Sequence, residues 1–205
     1  LQFDMWNKKT SPDGLDWTLL RNKIKKYGVR NSLLTSVMPT ASTSQLLGNH
    51  ECVEPITSNL YTRNTLSGDH VILNKHLRKM LRQFDLWKTS VIDNLIHHDG
   101  SIQDMHFIPP HIRKMFRTAF EMPQKSLIQQ AIDRGCFIDQ SQSLNLFMVE
   151  PDFNKLSSCH FWGWKHGLKT GMYYLRSKPA ASAIKYGNQK QTVTQEDKEC
   201  TMCTS

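Results

Sequence analysis

Apolar residues recur at helical spacing in several stretches of this chain, with Gly and Pro between them. In "LDWTLLRNKIKKYG", Leu15, Leu19 or Leu20, Ile24 and Tyr27 fall on one face and Gly28 closes the run, which predicts a helix. The β-branched, apolar run "VRNSLLTSVM" (29–38) predicts a buried strand, and "PTASTSQLLG" after it a short helix. Two helices follow in "NKHLRKMLRQFDLW" and "KTSVIDNLIHHDG", the second with Thr89 or Ser90 as N-cap and Gly100 just past its end. "PPHIRKMFRTAFEM" and "PQKSLIQQAIDRG" predict two more, opened by Pro110 and Pro123 near N1. After these, "CFIDQSQSLNLFMV" (136–149) predicts a strand and its loop, "NKLSSCHFWGWKHG" (154–167) a helix, and "GMYYLRSK" (171–178) a strand. The alternation is that of an α/β fold. Apolar periodicity is lost over 185–199, which reads as a flexible linker.

Composition narrows the class. The 205 residues are 39% hydrophobic and 21% charged, as expected of a globular protein of one large domain or two small ones. No apolar run is long enough for a membrane span and no secretory leader is visible, so the expected compartment is the cytoplasm, with no membrane partner. The opening residues carry no initiator Met and already include Trp6 and Trp17, as expected of a stretch inside a longer protein. Net charge is +8, but the basic residues sit in short groups such as 23–26 and 76–82. Such groups read as solvated helix faces rather than a nucleic-acid stripe, so no nucleic-acid partner is expected.

Five places are candidates for chemistry. Cys52, Cys136 and Cys159 are isolated among apolar neighbours and read as small buried hydrophobes. Cys200 and Cys203, spaced C-x-x-C at the chain's end, lack the second ligand pair of a zinc site and leave a redox dithiol or incidental tail cysteines as alternatives; no metal is expected. Thr40, Ser42, Thr43 and Ser44 crowd a helix start after a strand, suited to a phosphate or simply to capping. Tyr173 and Tyr174 are adjacent, and on a strand one would face inward and one outward, as plain packing requires. The polar run "DQSQSLN" (139–145) lines a site or satisfies buried backbone groups.

Taken in order, "NSLLTSVMPTASTSQLLGN", "SNLYTR", "FIDQSQSLN", "HFWGWKHGLKTGMYYLRSKPAA" and "CTMC" resemble the C-terminal part of the large, catalytic subunit of class I ribonucleotide reductase, over nearly the whole chain. The resemblance implies the C-terminal portion of a ten-stranded α/β barrel with peripheral helices over 1–184, and a flexible redox tail over 185–205. It implies a substrate loop at Thr40, Ala41, Ser42, Thr43 and Ser44, holding a ribonucleoside diphosphate that is reduced to the deoxyribonucleotide for DNA synthesis. It implies that Tyr173 and Tyr174 transfer the radical, and that Cys200 and Cys203 reduce an active-site disulfide and are recharged by thioredoxin or glutaredoxin. Further implied partners are the small subunit, which carries the tyrosyl radical and di-iron centre, and further copies of the large subunit. No cofactor is then expected on this chain, and ATP and dNTP effectors would bind an N-terminal region that it lacks.

The departures are specific. The family's thiyl-radical cysteine lies in an N-x-C-x-E motif, which is absent here; Cys52 in "NHECVE" has different neighbours. His50 stands where the family usually has Asn, Asn64 where a second Arg is usual, and Trp162 where Tyr is common, and the linker before the tail is short. The chain alone is therefore expected to be inactive. The alternative reading is a non-catalytic fragment or decayed paralogue retaining only subunit-binding surfaces.

Overall fold

The computed structural model describes residues 1–5 and 14–178. Two short helical pieces open it, α1 (Gln2–Met5) and α2 (Trp17–Tyr27). Asp16 caps α2 by accepting from the Leu19 amide at 2.8 Å, and Gly28, at a φ of 73°, returns its N–H to Ile24 O. The helix is where its periodicity places it, yet none of its residues is buried. It is held at its start, where Phe3 meets Trp17 edge-on at 5.0 Å and Phe137 at 6.2 Å, and by Arg21, whose guanidinium pairs with Asp4.

The strand expected over 29–38 does not form. Its Leu34 and Thr35 amides donate to the Asp139 carboxylate at 2.5 and 2.8 Å, and Thr35 O accepts from the Asp139 amide. The chain bends at 139 and 140, so these contacts cannot extend into a ladder, and Leu33 and Leu34 are left exposed. A hairpin that the apolar pattern did not announce follows the one-turn helix α3 (Thr43–Leu46). Strands β1 (Leu60–Thr65) and β2 (Gly68–Leu73) pair antiparallel from Leu60↔Leu73 to Thr65↔Gly68, across a Leu66-Ser67 turn. Its positions are mostly polar and exposed, so alternation is faint.

The helices come next: α4 (Lys75–Gln83), α5 (Thr89–His97), α6 (Pro110–Met115), a 3-10 turn at Ala119–Glu121, and α7 (Gln124–Gly135). Lys88, in extended backbone and with no side-chain cap, is the N-cap residue of α5; Thr89 and Ser90 lie inside the helix instead. Pro110 is at the first helical position as expected, whereas Pro123 takes the cap position of α7. The strands expected over 136–149 and 171–178 shrink to β3 (Leu146–Phe147) and β4 (Leu175–Arg176), paired parallel across the crossover helix α8 (Phe153–Lys165). The fold is α/β, but among the described residues the strands form two separate two-stranded sheets and close no barrel.

Two apolar cores result. In one, Leu77 and Leu81 of α4 interlock with Val91 and Leu95 of α5, Ile112 of α6, and Ile102, Met105, Ile108 and Phe116 between and after them. In the other, Ile128, Ala131 and Ile132 of α7 pack on Leu144, Leu146 and Met148, with Leu156, Cys159 and Trp162 of α8 closing the outer side. Fully burying one such Leu or Ile contributes about 1.5–3 kcal/mol.

One buried amide ties the first core to the hairpin. Asn59 is fully buried; its Nδ2 donates to Gly100 O (2.9 Å) and Phe116 O (3.0 Å), and its Oδ1 accepts from Asn74 Nδ2 (2.9 Å). Asn74 in turn caps α4, accepting from the His76 and Leu77 amides. Replacing Asn59 by Ala removes the side-chain donor to Phe116 O and the acceptor for Asn74 Nδ2, while Gly100 O keeps only the Asn59 backbone amide. Unfolding in urea is expected to show a loss of roughly 2–4 kcal/mol, and a midpoint equal to wild type would contradict the role given to Asn59.

Candidate active site

The clearest concavity lies where the 39–64 segment meets the ends of β3 and β4. It has a volume of about 520 Å³, and its walls include Pro39, Gln45, Cys52, Glu54, Asn145 and Tyr173. Its near wall is a loop closed on itself. Thr40 and Cys52 both adopt positive φ, 52° and 58°, a conformation uncommon outside glycine. They are stitched together, since the Cys52 amide donates to Pro39 O (3.2 Å) and to Thr40 Oγ1 (3.3 Å), and its Sγ contacts Pro39 O at 3.4 Å. Burial, and then the carboxylates of Glu54 and Glu51, push the Cys52 thiol above its ordinary pKa, while Arg176 acts the other way. It is thus a protonated thiol at neutral pH, not an activated thiolate.

The far wall is fixed by a fork. Asn145 presents its backbone amide to Glu54 Oε1 (2.7 Å) and its Nδ2 to Glu54 Oε2 (3.0 Å), so one carboxylate clamps the entrance of β3 to the 51–54 turn. Asn145 is 8% exposed, and its Oδ1 is buried with no hydrogen-bond partner among the described residues. An orphaned acceptor beside a cavity is suited to a ligand hydroxyl or amide.

Tyr173 and Tyr174 do not divide between interior and surface as a regular strand would require. Both are exposed, and their ring centroids are 4.3 Å apart at 62°. The chain bends at Tyr173 and enters the ladder only at Leu175, so strict alternation has not begun. The ladder's edges still register the pair, because the Tyr173 amide donates to Leu144 O (2.7 Å) and Tyr174 O accepts from the Leu146 amide (3.0 Å). The Tyr173 phenol, donating to Tyr174, is held above its ordinary pKa, and the Arg176 guanidinium lies 5.2 Å from the Tyr174 ring. Two rings in contact, one hydrogen-bonded to the other, are an arrangement able to pass an electron with its proton.

The structure therefore brings Tyr173 into the same cavity as the flanks of the 40–44 loop, Pro39 and Gln45. Tyr174 and the residues Thr40, Ala41, Ser42, Thr43 and Ser44 themselves are not on its lining. Thr40, Ala41, Ser42 and Thr43 are exposed, whereas Ser44 is buried and its hydroxyl bonds Ala41 O. Ser42 makes no side-chain cap, and α3 is one turn long, so the helix dipole adds little and any anion would rest on individual N–H and hydroxyl groups. Cys200 and Cys203 lie outside the described residues. Cys52, Cys136 and Cys159 are only half-buried, less enclosed than expected. Among the described residues no cluster of His, Cys, Asp and Glu is placed to hold a metal, and no helix is long and apolar enough to cross a membrane.

Sequence reasoning missed Glu54 and Arg176, and flagged Asn145 only as part of a polar run. A carboxylate two residues past Cys52 was the available signal for Glu54. Asp139, from the same run, anchors the segment leading into the loop. The Leu34 and then the Thr35 amide depress its pKa, so the stabilisation is complete above about pH 4 and is lost as acidification passes through the lower folded value. Asp139→Asn should abolish that acid dependence and raise hydrogen exchange at the Leu34 and Thr35 amides. Unchanged protection at both would show that the carboxylate anchors nothing.

Comparison with known proteins places this geometry in context. Residues 1–174 match the family described as ribonucleotide reductase, barrel domain. The chain is 52% identical to the ribonucleoside-diphosphate reductase large subunit of Arabidopsis thaliana, covering 97% of this chain and 25% of that protein. With the large subunit of Caenorhabditis elegans the identity is also 52%, over 94% of this chain and 24% of that one. Among solved structures, the class Id ribonucleotide reductase alpha subunit of Actinobacillus ureae superposes with a TM-score of 0.66 at 34% identity, covering 77% of this chain and 28% of that chain. The chain thus spans about a quarter of the length of these relatives.

Proposed function

We propose, since this chain belongs to the ribonucleotide reductase family, that it is the C-terminal region of a ribonucleoside-diphosphate reductase large subunit and acts in the reduction of ribonucleoside diphosphates to deoxyribonucleoside diphosphates. The observation that carries the reading is the shared cavity, where Tyr173 and the flanks of the 40–44 loop face one another. In this reading residues 1–184 contribute their two open sheets to a ten-stranded α/β barrel, and 185–205 are a redox tail.

The residues then divide the work. Ser42 and Thr43, with exposed hydroxyls at the start of the one-turn helix, hold the diphosphate. Tyr174 and Tyr173 relay an oxidising equivalent from the small subunit, each phenol giving up its electron together with its proton. The 4.3 Å ring separation keeps that transfer short. Cys200 and Cys203 return electrons by thiol–disulfide exchange, drawing them from thioredoxin or glutaredoxin. With no N-x-C-x-E sequence in its 205 residues, the chain by itself supplies binding and relay groups but not the hydrogen-abstracting cysteine, and is inactive alone.

The tests need the full large subunit containing this region, assayed with its small subunit. Tyr173→Phe keeps the ring but removes the phenolic proton. Turnover should vanish while substrate affinity stays unchanged; a wild-type rate would reduce the pair to packing. The double variant Ser42→Ala with Thr43→Ala should weaken diphosphate binding by about 1.5–3 kcal/mol for each charge-assisted bond lost. Unaltered affinity in a calorimetric titration would remove the loop from the substrate site.

A further inference from the structure

The basic stretch at 76–82, which the sequence presents as a solvated face, takes a more specific form in the fold. Helix α4 reads KHLRKMLRQ and contains no acidic residue. One side of it is anchored by the fully buried Leu77 and Leu81. The other side walls a groove of about 490 Å³, lined by Leu73, Lys75, Arg78, Lys79, Arg82 and Gln83. It shares no lining residue with the cavity at Tyr173.

Among the described residues three Lys and Arg side chains have carboxylate partners, Arg21 with Asp4, Lys155 with Asp152 and Lys178 with Asp99, and most of the others have none, so it is the clustering of cations along one groove that sets α4 apart. Among those same residues none of the four cations of α4 makes an ion pair. Lys75 Nζ bonds Gly48 O and closes one end of the groove; Arg78 lies 6.0 Å from the Trp87 ring centroid; Lys79 and Arg82 point to solvent-exposed positions. Like charges one turn apart on a helix repel, and nothing on α4 offsets it.

We infer that this groove is a docking site for an acidic, extended peptide segment of a partner protein. The spacing carries the assignment. Lys75 and Lys79, and likewise Arg78 and Arg82, are one helical turn apart, about 6 Å along the axis. Same-face side chains of an extended peptide repeat at about 6.6 Å, so alternate Asp or Glu residues meet successive cations. Between the charges the walls are carbon, made by Leu73 and the alkyl stems of the Lys and Arg side chains, which suits the apolar residues of such a peptide. A nucleic-acid strand is the poorer fit. The row of cations runs for only about 10 Å, whereas phosphate-tracking surfaces neutralise roughly six to ten phosphates.

The test uses the 205-residue chain and a fluorescein-labelled peptide of alternating Glu and Leu, followed by anisotropy, with single-stranded oligothymidylate of equal charge as competitor. Wild type should bind the peptide, more weakly as salt rises, and Arg78→Glu with Arg82→Glu should weaken binding by at least about tenfold. The milder Lys79→Gln should give a smaller loss in the same direction, which keeps the test valid if charge reversal disturbs α4. Lys25→Glu with Lys26→Glu on α2 should leave binding unchanged. No binding by wild type, or an equal loss in the α2 variant, overturns the proposal. So does tighter binding of oligothymidylate with the same dependence on Arg78 and Arg82, which would make the groove a nucleic-acid surface.

Discussion

A single primary amide, with every polar atom of its side chain engaged, sets the spatial relation of the hairpin to the helices. Asn59 sits at the mouth of β1 with no exposed surface and bonds the carbonyls that end α5 and follow α6, while Asn74 bonds it and caps α4. Its backbone takes part too, since its N–H donates to Gly100 O and its C=O accepts from the Asn74 amide at 2.8 Å. Gly100 is confined by the same cluster. Its φ is 80°, and a Cβ there would lie 1.9 Å from Ser58 Oγ and 2.7 Å from the Asn59 amide. A side chain at that position is excluded by both conformation and space. Apolar burial makes the first core stable, but it is non-directional; the amide cluster gives the core its geometry.

That geometry reaches the candidate site through short connections. From Asn59 the chain runs back five residues to Glu54, whose carboxylate forks onto Asn145, and Asn145 leads directly into β3. Strand β4 then registers against β3 and sets where Tyr173 and Tyr174 leave the ladder. The second core lies beneath this link: Leu144, Leu146 and Met148 pack on α7, and α8 spans the gap between the two strands. Each wall of the cavity is therefore tied to a different core, and the Glu54–Asn145 fork joins them.

The helices were legible because burial on one face writes a 3.6-residue period into the sequence, and α4, α5, α7 and α8 obey it. The strands were not. Residues 29–38 have a strand's composition, but a strand exists only with a partner, and the described residues offer this segment two amides' worth of Asp139 carboxylate. The β1–β2 hairpin has the opposite character: its pairing is complete, but its side chains are Thr, Arg, Asn and His at exposed positions, so no alternation records it. The site was half legible. Motifs located the loop and the tyrosines, but the ring-to-ring contact depends on a bend at Tyr173, and the Glu54–Asn145 fork joins residues 91 positions apart.

The cysteines show why position and environment outweigh residue type. Cys159 lies against the second core with burial raising its pKa, and only packing is asked of it. Cys52 is raised by burial as well, but it sits in a positive-φ turn, bonded to Pro39, on the wall of the cavity that Tyr173 also lines. A thiol held protonated is a poor nucleophile and a poor metal ligand. The chemistry left to Cys52 is that of a neutral S–H donor completing a turn, and its bond to Pro39 O fills that role. The turn in turn fixes the spacing between Thr40 and Glu54. Protonation alone would not bar a thiol from losing a hydrogen atom, so what sets Cys52 apart from the proposed radical cysteine is its sequence context: it lies in His50-Glu51-Cys52-Val53-Glu54 and not in N-x-C-x-E.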